Sequence, residues 1–155
     1  MLKFFISEYN PRHLTGQIGG GIATELSGYL GEVFCNVQAP PVESTGTYYQ
    51  YRKIFLKNEY NFTLSNVKIW LDAEQYPGQI SLAGQTGTSY SISNATVEPT
   101  GISPWAHAVN YADGLEIGTF SSNYYTGIWL RQSLTNIQEP DPFVSLRLYA
   151  GGTQE

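Results

Sequence analysis

Tyr48-Tyr49-Gln50-Tyr51-Arg52-Lys53-Ile54-Phe55-Leu56-Lys57 is the stretch whose reading decides the fold. In an extended chain successive side chains point to opposite faces, so Ile54 and Leu56 share one face while Tyr51 and Phe55 share the other. A strand that is apolar on both faces is covered on both sides. One cover is a core; the other is expected to be an N-terminal arm or a partner subunit. Asn58-Glu59-Tyr60-Asn61 has the residue types of a turn and ends the strand.

The same alternation continues downstream. From Phe62 to Leu71, Val67, Ile69 and Leu71 oppose Lys68, Trp70 and Asp72. Tyr76-Pro77-Gly78 turns the chain into Gln79-Ile80-Ser81-Leu82-Ala83. A polar loop over 84–89 then precedes a short strand, Tyr90-Ser91-Ile92. Leu115-Glu116-Ile117 runs through Gly118-Thr119-Phe120 into the turn Ser121-Ser122-Asn123. Beyond it Thr126, Ile128 and Leu130 oppose Tyr125, Trp129 and Arg131. After Glu139-Pro140-Asp141-Pro142 a final strand sets Val144, Leu146 and Leu148 against Ser145, Arg147 and Tyr149. No segment holds a helical period, and sixteen Gly and eight Pro break the runs at sandwich-like intervals. The expectation is an all-β fold, an antiparallel β-sandwich of immunoglobulin-like or jelly-roll type, with its domain over 48–155.

Residues 1–47 read differently. Leu2-Lys3-Phe4-Phe5-Ile6 suits a first strand, but Asn10-Pro11, Gly16, Gly19-Gly20-Gly21 and Ala39-Pro40-Pro41 interrupt the chain beyond it. This region is expected to be a Gly-rich arm ending in a Pro linker. Its apolar residues, among them Ile18, Leu26, Val33 and Phe34, still need burial. They are expected against the outer face of the Tyr48–Lys57 strand or on a neighbouring chain. On this reading, deleting 1–40 leaves a soluble sandwich that no longer assembles.

Composition narrows the function classes. Only 14% of residues are charged, against roughly 25% in an ordinary soluble domain. Such a surface is easily buried against other subunits. The net charge is −5, and Arg52, Lys53 and Lys57 form the only loose basic cluster, which is no phosphate-neutralising footprint; no nucleic-acid partner is expected. No stretch is long enough to span a membrane, and Met1–Glu8 is too short an apolar run for a signal peptide. The single Cys35 excludes an intrachain disulfide and a Cys-based zinc cage.

No catalytic constellation is legible. His13 and His107 are the only histidines, and neither accompanies a nucleophile elbow, a His-Glu-x-x-His or a Cys-x-x-Cys. Gly19-Gly20-Gly21-Ile22-Ala23-Thr24 lacks the last glycine of a dinucleotide loop and its βαβ context. Asp72 with Glu74, and Asp113 with Glu116, fall short of the ligand density calcium requires. Asn61-Phe62-Thr63 and Asn94-Ala95-Thr96 match the glycosylation pattern without a secretory signal. The expectation is no enzyme, with no catalytic, cofactor-binding or metal residues and no cofactor. Trp70 and Trp129 are expected to cap the core or to pack under the arm rather than to bind sugars.

A family resemblance adds to this. Tyr51-Arg52-Lys53-Ile54-Phe55-Leu56-Lys57-Asn58 followed by Leu64-Ser65-Asn66-Val67-Lys68-Ile69-Trp70 resembles a segment of small tailed-bacteriophage virion proteins. The Pro99-Thr100-Gly101 step, the Leu115-Glu116-Ile117-Gly118 strand and the Ile128-Trp129-Leu130-Arg131 strand are similar too. The likeness spans roughly 14–150, and the turn before Tyr124 departs from it by lacking Pro-Gly. It implies a sandwich built into the virion, assembled in the host cytoplasm. The role it implies is that of a capsid decoration or cement subunit. Its partners would be the major capsid protein or other virion proteins, and it would form a homo-oligomer. A tail, neck or baseplate component is the alternative. From another class, the alternative is a carbohydrate-binding β-sandwich module.

Overall fold

The computed structural model describes residues 1–10, 15–28, 33–34, 48–72, 80–87, 90–134 and 147–155. Nine strands are formed among these residues and all their pairings are antiparallel: β1 (Leu2–Tyr9), β2 (Thr15–Glu25), β3 (Tyr48–Asn58), β4 (Leu64–Leu71), β5 (Ile80–Gly84), β6 (Ser91–Asn94), β7 (Leu115–Phe120), β8 (Tyr125–Leu134) and β9 (Leu148–Gln154). β3 is central, as its two apolar faces require. It pairs with β8 in unbroken register from Tyr48↔Leu134 to Lys57↔Tyr125, and with β1 from Leu2↔Asn58 to Ile6↔Ile54. The larger sheet runs β5-β8-β3-β1-β2-β6, the smaller β7-β4-β9.

The larger sheet curls. β1 parts from β3 beyond Ile6, and the place it vacates beside Tyr51 is taken by Ala95, whose carbonyl accepts the Tyr51 N–H at 2.8 Å. Curling needs extra twist, and β2 supplies it. Phe5, Ser7 and Tyr9 face Glu25, Ile22 and Gly19, so each two-residue step on β1 meets three residues on β2. These are bulges, and Gly19 (φ 115°) and Gly20 (φ 76°) adopt backbone angles that side chains disfavour.

The two faces of β3 carry two apolar clusters. The main core joins both sheets: Ile54, Leu56, Ile128, Leu130, Ile80 and Leu82 from the larger meet Val67, Ile69, Leu71, Phe120 and Leu148 from the smaller or its edges, all buried. The positions expected inside a core are therefore inside it, except Val144 and Leu146, which lie outside the described residues. On the opposite face of β3 and β8, Tyr51 and Trp129 are covered by Ile18, Ile92 and Ala95, with Ile102 and Trp105 against them. The second cover of β3 is thus supplied within this chain.

The region read as an arm is strand over most of its described length. β1 sits between β3 and β2 inside the larger sheet. Ile18 lies over the outer face of β3, one of the two burials expected for it, while Phe4, Leu26, Val33 and Phe34 enter the main core. Gly-rich sequence masked this, because glycine hides the side-chain alternation by which a strand is read. The Pro linker at 39–41 lies outside the described residues. Of the expected last strand, Leu148 and Tyr149 lie in β9 and Val144 to Leu146 fall outside the described residues; β9 continues through Ala150-Gly151-Gly152, where a side chain on Gly152 would collide with Val67 and one on Gly151 would press on Trp70.

Candidate functional site: a tyrosine cleft above a buried lysine

The turn between β7 and β8 builds one wall. Asn123 takes φ 60°, a left-handed angle that asparagine tolerates. The fully buried Asn58, at the end of β3, clamps this turn. Its Nδ2 donates to the carbonyls of Phe62 (3.0 Å), Phe120 (2.9 Å) and Ser121 (3.1 Å), and its Oδ1 accepts the Tyr60 N–H at 2.9 Å. Its backbone exchanges bonds with Asn123 and Tyr124. Tyr124 and Tyr125 project from this turn, about half exposed, each braced from behind. Phe120 meets Tyr124 edge-on at 5.3 Å and Phe55 meets Tyr125 edge-on at 5.9 Å.

Gln85, Thr86 and Tyr90 form the facing wall. The Gln85 N–H donates to the Gly127 carbonyl at 2.9 Å, and Thr86 and Gly87 donate to the Gly101 carbonyl. Gly101 has φ 64°, so the Pro99-Thr100-Gly101 step holds the rim of this wall. Between the walls is a cleft of about 490 Å³, lined by tyrosine rings, amides and threonine hydroxyls and by no ionised side chain among the described residues.

Under the cleft lies Lys53, with no accessible surface. Its Nζ donates to the Tyr90 carbonyl at 2.9 Å and stands 5.0 Å from the centre of the Phe55 ring and 5.5 Å from those of Tyr90 and Trp129. Burial pushes its pKa down to about 8. Gly127 makes the room, since a Cβ there would overlap Gln85 Oε1 and come within 2.7 Å of Lys53 Cε. The Tyr90 carbonyl also accepts the Gly20 N–H at 2.8 Å, and a side chain on Gly19 would collide with that same oxygen. Lys53 and the Gly19-Gly20 pair thus converge on the backbone of Tyr90, whose side chain is 60% exposed.

The residues weighed for catalysis are spread apart or lie outside the described residues. His107 Nδ1 donates to the Ile80 carbonyl at 2.9 Å; His13, Cys35 and Glu74 fall outside. Asp113 is engaged by Asn110, which donates to its carboxylate at 2.8 Å. Glu116 stands opposite Lys68 in the β4–β7 register. The Gly19–Thr24 run is part of β2. The Asn94 side chain accepts from the Thr96 N–H and hydroxyl, as in a turn. Of the loose basic cluster, Arg52 and Lys53 are both buried and only Lys57 reaches the surface, where it pairs with Glu59. Among the described residues, no group of three His, Cys, Asp or Glu side chains is placed to hold a metal.

A second aromatic surface lies on the outer face of the smaller sheet. Trp70 is half-buried there, nearly parallel to its cross-strand neighbour Tyr149 (5.9 Å, 15°) and edge-on to Tyr111 at 5.5 Å. Trp129, in contrast, is fully buried in the second cluster. Compared with known proteins, the chain matches no family model, no curated sequence and no solved structure.

Sequence reasoning missed Asn58, Lys53, Gln85 and Gly127 as parts of one site. One signal was present in Lys53 itself, a lysine amid apolar residues on a strand apolar on both faces.

Proposed function

We propose that this chain is a non-enzymatic structural protein of a tailed-phage virion, most directly a decoration or cement subunit acting through protein–protein interfaces. In this reading its two sheets are an immunoglobulin-like or jelly-roll sandwich. One observation carries the proposal. Of the nine tyrosines whose side chains are described, eight face solvent: Tyr9, Tyr49, Tyr60, Tyr90, Tyr111, Tyr124, Tyr125 and Tyr149. Tyrosine outside and few charges around it is the composition of an interface, where aromatic rings are enriched and ions depleted. The Trp70–Tyr111–Tyr149 surface is the best-formed patch of this kind, and its rings brace one another before any partner arrives. The resemblance to small virion proteins supplies the setting.

The test is a binding assay on particles produced from the encoding genome with this gene silenced. Purified chain is expected to rebind them at saturable stoichiometry, and a Trp70→Ala/Tyr149→Ala double variant to lose most of that binding while keeping its fold by circular dichroism. Equal rebinding by the double variant would remove this face from the interface. No rebinding by the parent chain would overturn the virion reading.

A further inference from the structure

We propose that the cleft between Tyr90 and the Tyr124–Tyr125 pair is a binding site for a neutral sugar ring. This inference goes beyond the assembly role and does not depend on it. Three features of the cleft point the same way. First, the exposed rings are held still. Tyr124 and Tyr125 are braced by Phe120 and Phe55, and the Tyr90 backbone is pinned by Lys53 Nζ and the Gly20 N–H. Fixing an exposed side chain in advance lowers the ordering cost of binding. Second, the lining pairs ring faces with amides and hydroxyls, which suits a ligand with apolar C–H faces and hydroxyl edges. Gln85 Oε1, buried beside Gly127 beneath the cleft, has no hydrogen-bond partner among the described residues. Third, no arginine or carboxylate among the described residues lines the cleft, and the nearby cation beneath it, Lys53, has no accessible surface. That disfavours phosphates, acidic sugars and charged peptides. The volume of about 490 Å³ falls within the roughly 300–1,000 Å³ typical of small-molecule sites.

Saturation-transfer NMR on the full chain tests this with maltotriose, cellotriose, mannotriose and galactobiose, each beside glucuronic acid as the charged control. Transfer to ring C–H protons of at least one neutral sugar is expected, and none to glucuronic acid. Tyr90→Ala and Tyr125→Ala should each weaken binding by about tenfold, the loss expected of a central aromatic contact. Tyr125→Phe should keep most of the affinity because the ring remains. A second arm with purified bacterial surface polysaccharide distinguishes a cell-surface glycan from a free sugar, and binding in either arm supports the site. Particle rebinding by the same variants is the separating control. Lost sugar binding with normal rebinding supports the cleft, whereas lost rebinding without sugar binding by the parent assigns the tyrosines to a protein interface and overturns it. Absence of transfer from every neutral sugar and from the polysaccharide, or transfer unchanged in both alanine variants, also overturns it.

Discussion

Lys53 shows what a single residue contributes that its neighbours in sequence do not announce. An unfolded lysine titrates near 10.5, and here burial lowers the folded value to about 8. Folding therefore favours the neutral amine. Between about 8 and 10.5 the unfolded chain binds more protons than the folded one, so the Lys53 contribution to stability rises with pH across that window. It is complete above 10.5 and lost as pH falls through 8. Lys53→Met should accordingly gain more stability over the parent at pH 7 than at higher pH. The gap should narrow toward pH 10. Denaturant unfolding of both proteins at the two pH values checks this, and parallel stability profiles would contradict it. Gly127 belongs to the same group of contacts. Gly127→Ala should cost about 1–3 kcal/mol through overpacking against Lys53 and Gln85, read from the same unfolding curves. Local alternation hinted that Lys53 is covered but gave neither residue its place in a cleft. A lysine and a glycine on a strand ordinarily mark a solvent face and a weak point, and only the return of the 90–95 segment over β3 makes them the floor of a cleft.

At the scale of elements, strands with large side chains on alternate positions were readable and strands of small residues were not. β3, β4, β7 and β8 lie where Ile54, Val67, Leu115 and Ile128 placed them. β2 and the latter part of β9 escaped because Gly19-Gly20-Gly21 and Gly151-Gly152 carry no side chain to alternate. In each case the glycines are required by what packs on them, the Tyr90 backbone over β2 and Trp70 and Val67 against β9. The consequence is sharpest for the N-terminal region. Removing residues 1–25 deletes two of six strands from the larger sheet, together with Phe4 from the main core and Ile18 from the second. Such a chain should lose its cooperative unfolding transition and its dispersed amide spectrum. A well-dispersed spectrum from the truncated chain would show the strands to be dispensable. Asn58→Ala should be the most damaging polar substitution in the turn region. It removes a buried amide whose two N–H groups serve three carbonyls and should cost about 3 kcal/mol in chemical denaturation, with Tyr124 and Tyr125 loosened.

For the whole molecule, composition said more about the surface than any motif did. A chain with 14% charged residues and twelve tyrosines has few ways to cover itself, and the fold turns most of the described tyrosines outward. The candidate site was not legible because no segment contains it. Phe55, Gln85, Tyr90 and Tyr124 come from four places in sequence and meet only once the larger sheet has curled. In the virion role proposed above, this tyrosine-rich surface would be covered by neighbouring virion proteins. A cryo-EM reconstruction of virions from the encoding genome tests it most directly. The account predicts density for both sheets of this chain at fixed positions on the capsid, with the Trp70–Tyr111–Tyr149 face against a neighbouring subunit. Purified virions that lack the chain altogether would contradict it.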